Sequence, residues 1–268
     1  MPLLLDCRIK LERADELYGE LLAEIKQWKE LGNGRIEAEY RPRRREYVYI
    51  ARVVFPPPRW GAIFGDCLHN LRSSLDTLMW QLVLLRGGKP SRRTQFPIFE
   101  RRSTYRARAA AMIEGVSRRD RGTLERLQPF YRSRGGMPPG GHPLALLARL
   151  SNTDKHRVIH AATTGLGLVG DGPPVIEGIP NDDAGEMLKT TWRRDIHLQD
   201  GDEIVRFRLA PTGSDPRVAI NCELAVGIGF GSYAGASSLA YIREGIEHVM
   251  EVFESELGAA SESNQMPG

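Results

Sequence analysis

Apolar residues recur at steps of three and four in four stretches of the chain, and elsewhere they alternate with polar ones. Over residues 3–31, Leu5, Ile9, Leu11, Leu17, Leu21, Leu22, Ile25 and Trp28 predict one long helix, closed by Gly32, Asn33 and Gly34. Residues 60–86 place Phe64, Cys67, Leu68, Leu71, Leu75, Leu78, Leu82 and Leu85 on one face, and Gly87 and Gly88 stop that helix. Leu144, Leu147 and Leu150 define a shorter helix over 143–157. Leu239, Ile242, Ile246, Val249 and Phe253 define a closing helix over 237–257, and 258–268 reads as a disordered tail.

The rest has strand character. IEAEY (36–40) and EYVYIARVVF (46–55) predict a hairpin, stopped by Pro56, Pro57 and Pro58. From 158 to 230 the runs VIHAATTGLGLV, VIEGI, IHL, EIVRFRL and VAINCELAVGIGF are separated by DG and TGSDP turn signals. Residues 89–140 read as irregular, with an apolar knot FPIF at 96–99 and a short helix in TLERLQPF at 123–130. Helices first, strands next and a helix last imply an α+β class. The expected architecture is one domain: a helical core (1–157 and 237–257) with an antiparallel β-sheet inserted between residues 158 and 230. The closing helix returns to the early ones.

Composition narrows the function classes. The chain has 268 residues, 41% of them hydrophobic, enough for a sizeable core. A net charge of +3 is too small to drive nucleic-acid binding by itself. Basic runs at 41–45, 91–93, 101–102 and 117–121 are either solvated loops or a rim that meets phosphates. Cys7, Cys67 and Cys222 are far apart, which argues against a disulfide framework or a cysteine zinc site. No segment has membrane-spanning length and the N-terminus lacks signal-peptide character, so a cytoplasmic location is expected. GLGLVG (165–170) runs into DGPP, and GFGSYA (229–234) has no second parallel strand after it, so neither predicts a dinucleotide site. No cofactor is expected.

Candidate chemistry lies on the polar faces of two helices. His69, Ser73, Asp76 and Trp80 share a sector opposite Leu71, flanked by Asp66, Asn70 and Arg72. Arg149, Asn152, Thr153 and His156 form a second stripe, which His160 extends if the helix continues. If the stripes line one cleft, a histidine beside carboxylates and an arginine can move protons. If not, they cross-link helices. Asp66–His69 and His156–His160 have metal-pair spacings, but no second acid-x-x-His pair accompanies them, and no metal is assigned.

GDCLHNLRSSLDTLMW, with FPIF, LERLQPF and LARLSNTDKHR, resembles an uncharacterised bacterial family that pairs a GD-x-x-HNLR-S-x-LD helix with an N-x-DKHR helix end. Arg149 and His156, six residues apart on one helix, are also similar to the Arg–His motif of the HEPN superfamily. That resemblance implies a metal-independent endoribonuclease or RNA-binding protein of a toxin or defence type, acting as a homodimer. His156, Arg149 and Asn152 would then be central to catalysis, with His69 and Asp76 in support. Arg72, Ser73, Trp80, Lys155 and Arg157 would contact substrate. The alternative from another class is a non-enzymatic protein that binds a small molecule or a protein partner, with the stripes as scaffold.

Overall fold

The computed structural model describes residues 4–44, 46–131, 138–156, 164–167, 176–177, 191–192, 199–208, 219–220, 223–228 and 234–263. The protein is α+β, and its sheets are antiparallel. The described helices are α1 (Leu5–Glu30), α2 (Arg59–Leu85), α3 (Arg102–Arg108), α4 (Arg118–Arg126), α5 (Pro143–His156) and α6 (Ala236–Ser263). The described strands are β1 (Gly34–Arg41), β2 (Glu46–Val53), β3 (Thr164–Gly167), β4 (Ile176–Glu177), β5 (Thr191–Trp192), β6 (Glu203–Arg208), β7 (Ala219–Ile220), β8 (Glu223–Ile228) and β9 (Ala234–Gly235). The chain divides into two compact units: Met1–Glu20, Gly61–Ile159 and Ala236–Gly268 form one, Leu21–Trp60 and His160–Gly235 the other.

The first unit is helical. The buried stripe of α1 there is Leu4, Cys7, Leu11, Ala14 and Leu17. Leu5 and Ile9, expected on the apolar face, are exposed instead, and so is Leu22 further along the helix. The burial phase is set by Cys7 and Ala14, two small residues that let neighbouring elements approach. Cys67 Sγ of α2 donates to the Ala14 carbonyl at 3.7 Å, and Cys7 Sγ donates to Gln81 Oε1 at 3.7 Å. As expected, α6 returns to α1. Arg8 of α1 bridges Glu247 at 2.9 Å and Glu254 at 2.6 Å, and Arg243 pairs with Asp15 at 3.2 Å.

On α2, Phe64, Cys67, Leu68, Leu71, Leu75, Leu78 and Leu82 are all buried, while Leu85, in the last turn, is exposed. The helix stops where Gly87 adopts φ +71 and Gly88 N–H returns to the Val83 carbonyl at 3.0 Å. The region read as irregular from the sequence contains α3, and the short helix expected at 123–130 is α4, which starts and ends earlier. The basic run 117–121 is not a loop. Ser117 caps α4 by accepting from Asp120 N–H at 3.1 Å, and its hydroxyl donates to the Asp120 carboxylate at 2.5 Å. This reciprocal cap offsets the poor intrinsic fit of four charged residues in the first turn.

In the second unit the hairpin β1–β2 runs in register from Gly34↔Val53 to Arg41↔Glu46. It does not stand alone: β2 pairs with β6, and β6 with β5, giving the order β1-β2-β6-β5. Separate pairings join β3 to β8, β8 to β9 and β4 to β7. Ala51 and Ile204 form a small core, with Ile36 and Val53 against it. Trp28 and Trp60 pack edge to face at 5.8 Å, and the Trp60 indole donates to Glu24 at 2.8 Å.

Candidate nucleic-acid interface

Two residues of the polar stripe of α2 brace a neighbouring segment. Arg72 grips Asp76, one turn along, through two hydrogen bonds of 3.1 and 2.9 Å. Both then turn to one residue of the FPIF segment. Asp76 accepts from Phe96 N–H at 2.9 Å, and Arg72 donates to the Phe96 carbonyl at 2.7 Å. Gln128, after α4, holds the other end of the same segment. It accepts from Phe99 N–H at 3.0 Å and donates to the Pro97 and Leu124 carbonyls at 2.8 and 3.1 Å. An extended, largely buried segment outside any sheet needs such partners for its backbone. The side chains of the LD and LQPF motifs supply them.

The remainder of the stripe faces solvent. His69 is exposed and 3.4 Å from Ser73 Oγ, Asn70 donates to the Asp66 carbonyl at 2.9 Å, and Trp80 is 46% exposed. The hydrogen bonds of the stripe stay within α2 and the 96–99 segment. Among the described residues no group of three or more His, Cys, Asp or Glu could hold a metal ion.

The second stripe lies on α5. Leu144, Ala145, Leu147 and Ser151 are buried, whereas Arg149 and Asn152 are exposed. The backbone remains helical through His156, so Arg149, Asn152 and His156 follow one another along one face. The side chains of Lys155 and His156, and all of Arg157 and His160, lie outside the described residues. His142 caps the helix: its Nδ1 accepts from Leu144 N–H at 3.2 Å. A Cβ placed on Gly140 would sit 3.1 Å from Arg149 Nη1 and 3.3 Å from Glu100 Oε2. Arg149 and Glu100, which lies just before α3, therefore both flank Gly140.

Those residues open onto a cationic lobe. From 86 to 126 there are twelve Lys and Arg against four Asp and Glu, a net +8, in a chain of net +3. The rest of the chain is therefore net −5. The segment is one spatial body. Gln95 N–H donates to the Met112 carbonyl at 3.3 Å, Arg86 bridges Asp120 at 3.6 Å, and Arg102 bridges Glu125 at 2.8 Å. Arg119 and Arg126 meet Glu256, and Arg121 donates to the Val116 carbonyl. The other seven, Lys89, Arg92, Arg93, Arg101, Arg106, Arg108 and Arg118, are exposed, with no side-chain hydrogen bond or ion pair to any described residue. By contrast the run at 41–45 belongs to the hairpin of the second unit, where Arg41 is held by Glu39 and Glu203.

Behind the lobe, Tyr105 packs edge-on between Phe99 at 6.0 Å and Phe130 at 5.6 Å. Burial, and then nearby Glu125, raise its phenol above the ordinary value of 10.0. Arg102 lies 5.8 Å from the ring centroid of Tyr131.

Comparison with known families, curated proteins and solved structures finds no match to this chain.

Three of the basic runs noted in the sequence sit in or beside this lobe, yet their joint weight was hidden by the near-neutral total. A charge count over successive 40-residue windows would have exposed it. Arg106 and Arg108 follow the 101–102 run closely in the chain, whereas Tyr131 is brought beside Arg102 only by the fold.

Proposed function

We propose that the protein binds RNA on the cationic lobe and cleaves it on the α5 face, as a metal-independent endoribonuclease of HEPN-like type. The observation that carries the reading is the set of seven exposed cations between residues 86 and 126 that have no side-chain partner among the described residues. Such a surface costs self-repulsion and has no internal use, but it releases counterions when it meets a polyphosphate chain. Arg149, beside Glu100, marks where that lobe adjoins α5. In this reading Arg149 holds the scissile phosphate and stabilises its added charge. His156 takes the ribose 2′-hydroxyl proton or protonates the leaving oxygen, and Asn152 orients the phosphate. Arg72 and Asp76 hold the scaffold and transfer no proton. The reading includes a homodimer, which light scattering tests.

The deciding experiment uses the full chain with labelled RNA in EDTA. Wild type binds, with log affinity falling linearly in log salt. Changing Arg93, Arg106, Arg108 and Arg118 together to Gln flattens that slope by about 3 on single strands. Wild type cleaves and His156→Ala binds without cleaving. Absence of binding at low salt removes the reading, and binding without cleavage reduces it to an RNA-binding protein.

A separate observation favours a small-molecule reading. Within the first unit a cleft of about 300 Å³ lies between the start of α5 and α6, lined chiefly by Leu127, His142, Leu144, Tyr241, Glu244 and His248. A mostly apolar cleft with a few polar groups suits a small organic ligand. Thermal-shift screening of small organic molecules against wild type and Leu144→Trp tests it: stabilisation of the wild type alone supports this reading.

A further inference from the structure

We infer that Tyr131 is a stacking platform for an unpaired base, so that the lobe takes single-stranded nucleic acid in preference to duplex. This rests on the RNA-binding reading above and adds which form of RNA is bound. Tyr131 is 50% exposed, a large aromatic ring left open to solvent. It is held in place. Its N–H donates to the Gln128 carbonyl at 2.9 Å, in the turn that follows α4. Its neighbour Phe130 is locked against Tyr105, which is locked in turn against Phe99. Arg102, clamped on Glu125 by two donors at 2.9 and 2.8 Å, lies 5.8 Å from the Tyr131 ring centroid. The guanidinium and the phenol thus form a preorganised cationic and aromatic step.

Arg101, next in the chain to Arg102, is exposed and unpartnered among the described residues, and Glu100 before it flanks Gly140, as Arg149 of α5 does. In this inference Arg101, one residue along the chain from the Arg102–Tyr131 step, takes a phosphate of the strand whose base stacks on Tyr131. Aromatic stacking with sequence tolerance, flanked by Arg, is how single strands are held without reading sequence. A duplex keeps its bases stacked on each other and offers only phosphates to such a surface.

The test compares a 20-nucleotide single strand, its duplex and inorganic polyphosphate of similar charge, each against wild type, Tyr131→Ala and Tyr131→Phe. Wild type binds the single strand most tightly. Tyr131→Ala weakens it about tenfold with an unchanged salt slope, and Tyr131→Phe restores it. Duplex and polyphosphate bind more weakly and ignore the substitution. The inference is overturned if duplex binds as tightly as single strand, or if Tyr131→Ala changes all three probes alike or none. Failure of every probe to bind wild type overturns the RNA-binding reading and this inference together. Tyr131 is exposed, so the variants keep the fold, and circular dichroism verifies it.

Discussion

Asp76 and Phe96, twenty residues apart, are joined by a 2.9 Å hydrogen bond from the Phe96 backbone N–H to the Asp76 carboxylate. Arg72 closes the other side of the same residue by donating to its carbonyl. One side-chain pair on α2 thus does what a neighbouring strand would do in a sheet. It fixes both backbone groups of a segment whose Phe96 side chain is fully buried.

Asp76→Ala should therefore act on stability. It strands the Phe96 N–H and leaves Arg72 without its carboxylate, a cost of about 2 kcal/mol. Urea denaturation measures it. RNA affinity measured on the folded fraction should stay at the wild-type value. A loss of binding or cleavage that exceeds the loss of folded protein would show that Asp76 has a direct role in the site.

Gln128 makes the matching prediction at the other end of the segment. Its amide is fully buried and serves Phe99, Pro97 and Leu124. Gln128→Leu keeps the bulk but removes all three partners, at about 2–3 kcal/mol. Asp76 and Gln128 brace one short segment from opposite ends, so the double variant should lose less than the sum of the singles. Strict additivity in denaturation midpoints would mean that the two clasps act independently.

What the sequence revealed and what it hid divide along a physical line. The four long helices were legible because burial repeats at helical spacing, and α2 and α5 begin and end within a residue of expectation. On α1, Leu11, Leu17, Leu21 and Trp28 are buried as expected, but the first turns were misjudged because the inward face there uses Cys7 and Ala14 in place of larger residues. The α2 stripe was legible, but the backbone partners of two of its residues were not. The partners of Arg72 and Asp76 are backbone groups of Phe96, and no side-chain pattern announces a backbone acceptor. For the same reason Gln128 stood only as a letter in a motif. The pairing of β2 with β6 joins segments about 150 residues apart, which strand character alone does not specify.

Cys7 and Cys67 should be chemically silent. Burial pushes both thiols up to about 12. The nearest acids, Asp6 and Asp66, push in the same direction. In a Cys222→Ser background, Ellman's reagent at about pH 8 should find no thiol in the folded protein and both after denaturation, because the thiolate is the reactive form. Fast reaction of a thiol in the folded state would contradict the burial of the α1–α2 contact.

Acid should weaken the four-stranded sheet through Glu203. Arg206 donates to its carboxylate, and so does Arg41 at 2.8 Å, holding the group below its ordinary value of 4.5. A carboxyl whose folded pKa lies below its unfolded one adds stability that is complete above the unfolded value. That stability is lost as pH falls through the folded one. Denaturation followed by circular dichroism should therefore show stability flat above about pH 5 and declining below about pH 4. Other carboxylates share that window; Glu37, held down by Arg52 and Arg35, is one of them. Glu203→Gln isolates the contribution: it should lower stability at neutral pH and make the acid decline shallower. An acid decline of undiminished depth in Glu203→Gln would mean that the Arg41–Glu203–Arg206 cluster adds nothing to the sheet.

Gly245 of α6 sets how closely α5 can start. A Cβ at that position would lie 2.5 Å from Pro143 Cγ and 2.6 Å from Pro143 Cβ. Proline is a rigid ring at the first turn of α5 and cannot swing aside, so Gly245→Ala must push the helices apart. In an exposed helix interior, Gly→Ala normally adds up to about 1 kcal/mol of stability. Here the expected sign is reversed, a loss of about 1–3 kcal/mol from overpacking. The double variant Gly245→Ala/Pro143→Gly should recover part of that loss, because both colliding atoms, Cβ and Cγ, are gone and the nearest remaining atom is the Cα at 3.9 Å. If the proposed ribonuclease function holds, the single variant should shift RNA cleavage more than binding, because α5 also carries Arg149 and Asn152 while the lobe is left in place. A stabilised Gly245→Ala protein in thermal denaturation would show that α5 and α6 do not meet as closely as the Pro143 contact requires.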